Sequence, residues 1–213
     1  MGEKVDGSVE IADLDYSLGG QIHLGGLKLK DESGDAGVAL DDLTIAPSWN
    51  DLLHGRVVLS SVAISGLRLH VVKYADGTTN LDHYLHFEKP KETDKLVTVQ
   101  KLDVSKVGVV IEQPDGTRIS VDDFALKGNL SLVSKQKKFD VEIDPITLTL
   151  GVEKPDGALK LGVRDLQTGV SVHMDGGKGT VALHPTTASV FVAKAGMPDK
   201  QFDISLGGST FTV

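Results

Sequence analysis

The chain has 213 residues, a formal net charge of -8 and no cysteine; 40% of its residues are hydrophobic and 24% are charged. This length suits one domain, or two small ones, with a sizeable core. The composition is globular, which excludes a disordered chain and an integral membrane protein. The acidic charge disfavours nucleic acid as a partner. Without cysteine, disulfides and thiolate metal sites are excluded.

The start of the chain carries no recognisable targeting signal. No stretch approaches the roughly 18 apolar residues of a membrane span, and no apolar segment follows Met1-Gly2-Glu3-Lys4 as in a signal peptide. Asp6 occupies the position where a myristoylation signal has Ser or Thr. Strand-like sequence begins almost at once, so we expect an excised piece of a longer protein.

Apolar residues alternate with polar residues along most of the chain. Because alternate residues of a strand point to opposite faces, this pattern predicts an all-β, antiparallel sheet with one buried and one solvated face. The parity changes near Gly66, which predicts a bulge or a break between strands. The runs that carry the alternation are Leu14, Tyr16, Leu18, Ile22 and Leu24; Phe124, Leu126, Leu130 and Leu132; Ile146, Leu148, Leu150 and Val152; Val170, Val172 and Met174; and Phe202, Ile204 and Leu206.

Two short segments favour helix instead. The first begins at Pro47 or Ser48 and ends at Gly55. We expect it to close one end of the sheet, or to contact lipid, through Trp49, Leu52 and Leu53. The second has Asn80 as its predicted N-cap, with Leu81, Tyr84 and Leu85 directed towards the sheet.

A charged segment without apolar residues divides the chain. We predict an amino-terminal β segment over 1–88, a linker over 89–95, and a second β segment over 96–213 that continues the same sheet.

Turn dipeptides recur about every 40 residues. They are Ser33-Gly34, Asp76-Gly77, Asp115-Gly116 and Asp156-Gly157, with Pro198-Asp199-Lys200 as a degenerate fifth copy. Such dipeptides are typical of hairpins. Their constant spacing, with an apolar-Asp-apolar step after the turn, predicts strand pairs stacked along one axis.

The first half of the chain resembles the amino-terminal part of the AsmA family. The resemblance covers roughly residues 20–85 and follows the family's order of strand, short helix, strands and turn. It is carried by Leu27-Lys28-Leu29-Lys30-Asp31, Val38-Ala39-Leu40-Asp41-Asp42-Leu43-Thr44-Ile45, Leu52-Leu53-His54-Gly55-Arg56, Val62-Ala63-Ile64-Ser65-Gly66-Leu67-Arg68-Leu69 and Asp76-Gly77-Thr78-Thr79-Asn80-Leu81-Asp82.

The resemblance implies a fold, a location and a role. AsmA-like proteins are similar to TamB and to chorein-type bridge proteins: they are periplasmic, are anchored by an amino-terminal membrane helix, and are implicated in moving phospholipid between membranes. It therefore implies a curled sheet with an apolar groove, a phospholipid or other acyl-chain ligand, envelope proteins as further partners, and a membrane anchor in the full-length protein. This sequence departs from the family in lacking the anchor and in being short.

The alternation alone leaves two architectures open. In a closed sandwich the apolar face packs against a second sheet, which is the commoner arrangement. In a curled sheet it lines a groove that holds acyl chains, as the resemblance implies. The groove candidates are Leu14, Tyr16, Leu18, Phe124, Leu126, Ile146, Leu148, Leu150, Val170, Val172, Phe202 and Ile204.

No motif predicts catalysis, a cofactor or a metal ion. His83 and His86, with Asp82 beside them, share a predicted helical turn. A metal site would need a further ligand of known position besides the two histidines, and none is indicated. The pairs Asp41-Asp42 and Asp122-Asp123 are expected at solvated strand ends, with diverging side chains. In Gly176-Gly177-Lys178-Gly179-Thr180 a Gly follows the Lys where a phosphate loop needs Ser or Thr, so a hairpin turn is predicted.

Two functional hypotheses follow. The first is a non-catalytic lipid-binding groove domain, with self-association through the sheet edges as a further possibility. The second is a structural or adhesive β-repeat module with a closed core that binds protein partners.

Overall fold

The computed structural model describes residues 8–17, 19–30, 36–83, 96–133, 136–155, 157 and 159–212. In these ranges fourteen strands form one curled sheet; the β class is as the alternating pattern predicts, and the curl is as the resemblance implies. The strands are β1 (Ser8–Glu10), β2 (Asp13–Tyr16), β3 (Ile22–Lys30), β4 (Ala36–Pro47), β5 (Val57–Ser65), β6 (Arg68–Val72), β7 (Val97–Glu112), β8 (Arg118–Val133), β9 (Lys138–Glu153), β10 (Leu159–Asp175), β11 (Lys178–Leu183), β12 (Thr186–Lys194), β13 (Lys200–Leu206) and β14 (Ser209–Thr212).

Four pairs of consecutive strands each act as one interrupted strand. β1 and β2 pair with the two halves of β3, and β11 and β12 pair with the two halves of β10. In the same way β5 and β6 both lie between β4 and β7, and β14 and β13 continue the sheet beyond β11 and β12. The sheet therefore consists of ten long strands, each crossing its full height.

The sheet is mixed rather than purely antiparallel. β5 and β6 pair with β7 in parallel, whereas the other pairings are antiparallel. A parallel pair needs a crossover between its strands. Here residues 73–96 make this connection, and residues 84–95, which include the predicted linker 89–95, lie outside the described residues. Local alternation carries no information on strand direction, which is why the sequence did not predict this pair. The parallel pairing of β5 and β6 with β7 joins the two predicted β segments in one sheet.

The turn dipeptides lie at one end of the sheet. Gly77, Gly116 and Gly157 have φ values of 90°, 78° and 64°, the left-handed region that glycine favours. After β12 the left-handed residue is Gly196 (φ 77°) rather than a member of the predicted Pro198-Asp199-Lys200 turn. Ser33, Gly34 and Asp156 lie outside the described residues. The spacing of about 40 residues therefore corresponds to two long strands from Gly116 to Gly157 and from Gly157 to Gly196, but to the crossover and β7 alone from Gly77 to Gly116.

Two helical turns interrupt the β structure. The predicted helix after Ser48 is α1 (Trp49–Leu53), and Gly55 follows it with a φ of 73°. The second predicted helix is a 3-10 turn over Asn80–His83. The Asn80 amide accepts a hydrogen bond from the Val72 N–H and donates one to the His70 carbonyl, so it ties the turn to β6. Tyr84 and Leu85 lie outside the described residues.

Left-handed residues cross the sheet at one level, which we call the bulge line. An extra residue in a strand bends the strand and increases its twist, and several at one level bend the whole sheet. In β7, β8 and β10 the pairing register shifts beside the left-handed residue. The residues of the bulge line are Gly26, Gly66, Lys106, Asp123 and Asp165, with φ values from 52° to 70°.

The bulge line determines which face the apolar residues occupy. Val104 and Val107 pair with Leu126 and Phe124, which are two residues apart in β8 and therefore share a face. Simple alternation would place Val104 and Val107 on opposite faces, because they are three residues apart. The left-handed Lys106 between them restores the parity, so both side chains stay on one face.

We expect Asp123 to be sensitive to replacement by a β-branched residue. At a φ of 53° Val is strained, and Asp123→Val should lower the free energy of unfolding by about 1–3 kcal/mol. Asp123→Gly should not lower it. Urea unfolding followed by circular dichroism measures the difference. Asp122→Val is the matched control for the lost charge, and equal losses at positions 122 and 123 would contradict this role of the bulge.

Candidate functional site

One face of the sheet, which we call the apolar face, carries an unbroken band of hydrophobic side chains. Directly paired residues of neighbouring strands have their side chains on the same face. Pairing can therefore be followed from one edge of the sheet to the other. One such row crosses all ten long strands and contains only apolar residues: Val9, Leu29, Val38, Leu69, Val109, Val121, Leu150, Val163, Val190 and Phe202.

The register brings the described groove candidates together on this face. Leu150 and Phe202 belong to the row above, and Leu14, Leu126 and Ile146 belong to the next row across the bulge line. Leu18 is outside the described residues. The other candidates all lie on the apolar face; they are Tyr16, Phe124, Leu148, Val170, Val172 and Ile204.

Within the described ranges, no second layer of sheet covers the apolar face. Six apolar residues of the described ranges are buried, and none of the described side chains is less than 2% exposed. Central residues such as Leu148, Leu150 and Val172 are half-buried. In a two-sheet sandwich the facing side chains interdigitate and become inaccessible. The burial pattern therefore differs from a closed sandwich.

Alternation alone misses much of this face in β4 to β7. Leu69, Val99 and Val107 belong to it, although none of them was a candidate. Their parity changes at Gly66 or at the register shifts of β7, so a search for uninterrupted alternation loses them. The signal that could have found them in β7 is the spacing of three between apolar residues, as in Val104 and Val107 or Val99 and Leu102, which marks an extra residue in the strand.

The helix α1 contacts the neighbouring β2–β3 turn. Trp49 Nε1 donates a hydrogen bond to the Gly19 carbonyl at 3.1 Å, and a Cβ on Gly20 would overlap the indole ring. Trp49 is nevertheless 46% exposed and Leu53 84% exposed, while Leu52 is half-buried. Leu53 therefore points into solvent rather than onto the sheet.

The opposite face, which we call the polar face, is organised by ion pairs between strands. Arg68 donates two hydrogen bonds to the Asp41 carboxylate, at 2.9 and 2.5 Å. This Arg68 contact is the main cause that lowers the pKa of Asp41. Gly66 is required here, because a Cβ would overlap the Asp41 carboxylate and its φ is 70°. The pair thus connects β4 and β6 at the bulge line.

His23 occupies the centre of a second polar cluster. Its Nε2 lies 2.5 Å from Asp42 Oδ2, and its Nδ1 lies 3.7 Å from Asp13 Oδ2. The hydrogen bond with Asp42 is the main cause that raises the pKa of His23, and the charges of Asp42, Asp13 and Asp15 act in the same direction. The ligand atoms of Asp13, Asp15 and His23 lie within 4.8 Å of one another. Because Asp42 engages the imidazole and favours its cationic form, we interpret the cluster as an ion-pair network that ties β2 and β3 to β4.

The aspartate pairs lie within strands, not at strand ends as expected. Asp41 and Asp42 are interior residues of β4, and Asp122 and Asp123 are interior residues of β8 at the bulge line. For Asp123 the expectation was wrong because Asp tolerates left-handed backbone and therefore suits a bulge as well as a turn. Asp41 and Asp42 instead pair with Arg68 and His23 of the neighbouring strands.

The other polar motifs have simpler outcomes. Gly176 and Gly177 form the predicted hairpin turn, between β10 and β11, with φ values of 61° and 86°. His86 and the side chain of His83 lie outside the described residues.

No family model matches the chain, and no curated protein is significantly similar to it. Neither helical segment of the described ranges has the length and hydropathy of a membrane span.

The His23 cluster predicts a pH dependence of stability. Because the folded-state pKa of His23 is raised above its ordinary value of 6.5, its stabilisation is complete below that value and is lost as the pH rises through the folded-state pKa. Urea unfolding at a series of pH values from 6.5 upward should show this loss. His23→Gln should remove that component, whereas His54→Gln should leave it. An unchanged pH profile in His23→Gln would contradict the assignment.

Proposed function

We propose that this chain is a non-catalytic lipid-binding domain whose apolar face lines a groove for acyl chains. We further propose that it belongs to a periplasmic, membrane-anchored protein of the AsmA-like type that moves phospholipid between the inner and outer membranes. The observation that carries the proposal is the unbroken apolar band across ten strands, which is half-buried and has no covering layer in the part of the chain that the structure describes.

The physical chemistry of acyl chains fits such a face. Each methylene group removed from water contributes about 0.8 kcal/mol, so a lipid tail is held without specific polar contacts. Nine gaps between ten strands span about 43 Å at about 4.8 Å per gap. A continuous exposed apolar surface that spans ten strands marks a binding surface. The polar face keeps the same sheet compatible with water.

The curl of the sheet supports a groove rather than a flat surface. When a sheet bends towards one face, the side chains of that face converge and shield one another. Val38, Leu40, Val99 and Val107 lie on the apolar face and are only 7–8% exposed. Mutual shielding within a bent layer accounts for such burial without a second sheet. A closed adhesive module would instead require an inaccessible core.

Lipid occupancy is the direct test. The purified chain is incubated with phosphatidylethanolamine–phosphatidylglycerol vesicles, reisolated, and analysed by native mass spectrometry. We expect bound phospholipid in stoichiometric amounts. A lipid-free chain that also excludes added phospholipid would refute the groove and favour a module that binds protein partners.

A face-specific variant locates the binding surface. Leu148→Asp combined with Leu150→Asp places two carboxylates on the apolar face of β9, and should reduce crosslinking to a photoactivatable phospholipid by more than about tenfold. Thr147→Asp combined with Thr149→Asp changes the opposite face of the same strand and should leave crosslinking unchanged. Far-UV circular dichroism verifies that both variants keep their β structure. Equal crosslinking in the two variants would contradict binding on the apolar face.

A further inference from the structure

Lysines border the apolar face at the end of the sheet that carries the turn dipeptides. Lys194 pairs with Leu159, and Lys200 pairs with Val192; directly paired residues have their side chains on one face. Lys154, directly after β9, lies opposite Leu159 as well, because its N–H donates a hydrogen bond to the Leu159 carbonyl. We call Lys154, Lys194 and Lys200 the lysine rim. The apolar band ends at this rim, because the next residues inward on its strands are Val152, Val192 and Phe202.

The protein balances the charge of the lysine rim only in part. All three lysines are exposed. Lys154 donates a hydrogen bond to Thr117 Oγ1 at 3.0 Å, and its Nζ lies 3.4 Å from Asp115 Oδ2. Among the residues that the structure describes, Lys194 and Lys200 form no ion pair. The chain as a whole has a net charge of -8, so the rim is a local positive exception on an acidic protein.

The described carboxylates at neighbouring positions leave most of the lysine rim unpaired. Asp115 accepts a hydrogen bond from the Thr117 N–H at 2.9 Å, which holds it within its own turn. Glu153 pairs with Lys160 at 2.7 Å, and both lie on the polar face. Asp199 is exposed and forms no ion pair with the rim. The rim is therefore available to an anion from outside the chain.

The rim lysines are close enough for two of them to contact one phosphate. Lys200 pairs with Val192, two residues from Lys194 on the same strand, so Lys194 and Lys200 are diagonal neighbours about 7–8 Å apart. Lys154 is two strand gaps from Lys194, about 10 Å at about 4.8 Å per gap. Lysine carries its ammonium group on a flexible four-carbon stem, which can cover such distances. Like charges this close repel each other, and a bound anion replaces that repulsion with attraction.

We propose that the lysine rim binds the phosphate of an anionic phospholipid whose acyl chains lie on the adjoining apolar face. This inference rests on the proposed lipid-binding function and adds a headgroup preference and an orientation to it. A phospholipid joins an anionic phosphate to apolar tails, and the protein places the rim directly beside an apolar band. Acyl chains bind through their apolar area alone, whereas lysines near a lipid headgroup favour a net negative charge. The rim therefore selects among lipids that have the same tails.

Headgroup selectivity tests the lysine rim. Isothermal titration calorimetry measures the dissociation constants of the full chain for phosphatidylglycerol and for phosphatidylcholine, both as monomeric lipids with the same short acyl chains. We expect the wild type to bind phosphatidylglycerol at least about tenfold more tightly than phosphatidylcholine. Lys154→Gln combined with Lys194→Gln and Lys200→Gln should abolish this preference. The same variant should change the affinity for phosphatidylcholine by less than about twofold, because the apolar contacts remain.

The matched control removes the same charge from the polar face. Lys28→Gln combined with Lys127→Gln and Lys160→Gln should keep the preference for phosphatidylglycerol, and thermal unfolding verifies that both triple variants fold. Equal affinities of the wild type for the two lipids, or an equal loss of preference in the two variants, would overturn the rim and leave the groove intact. If the wild type binds neither lipid, the proposed groove fails together with the rim.

Discussion

Backbone pairing between strands that carry left-handed residues at a common level is the constraint on which the rest of the structure depends. A shift of one residue in a strand moves its whole apolar set to the other face. The bulge line adds this shift at Lys106, Asp123 and Asp165. It thereby lets apolar residues three positions apart, such as Val163 and Leu166, share a face. The bulges also bend the strands, so the same residues produce both the continuous apolar face and its curl.

A single bent layer divides its two faces between different stabilising interactions. On the polar face, ion pairs such as Arg68 with Asp41 and the His23 cluster connect neighbouring strands. On the apolar face, burial is incomplete, because the side chains contact their neighbours in the sheet and no described strand or helix forms a layer above them. Hydrophobic stabilisation grows with the area removed from water. Covering this face would therefore stabilise the protein, which is the thermodynamic basis for the proposed binding of acyl chains.

The sequence by itself determined the local features. Alternation gave the β class and one apolar face in β8 to β10 and β13, and turn chemistry gave Gly77, Gly116 and the Gly176–Gly177 hairpin. Helix start and stop signals also predicted the helix Trp49–Leu53. All of these patterns act between residues that are close in the chain, so they can be recognised without the fold. Only the tertiary structure decided the parallel pairing of β5 and β6 with β7, the alignment of the bulges, and the partial burial of the described apolar face. Those depend on which distant strands exchange hydrogen bonds and on what lies above a face, and a periodic pattern is the same whether its apolar side is covered or open.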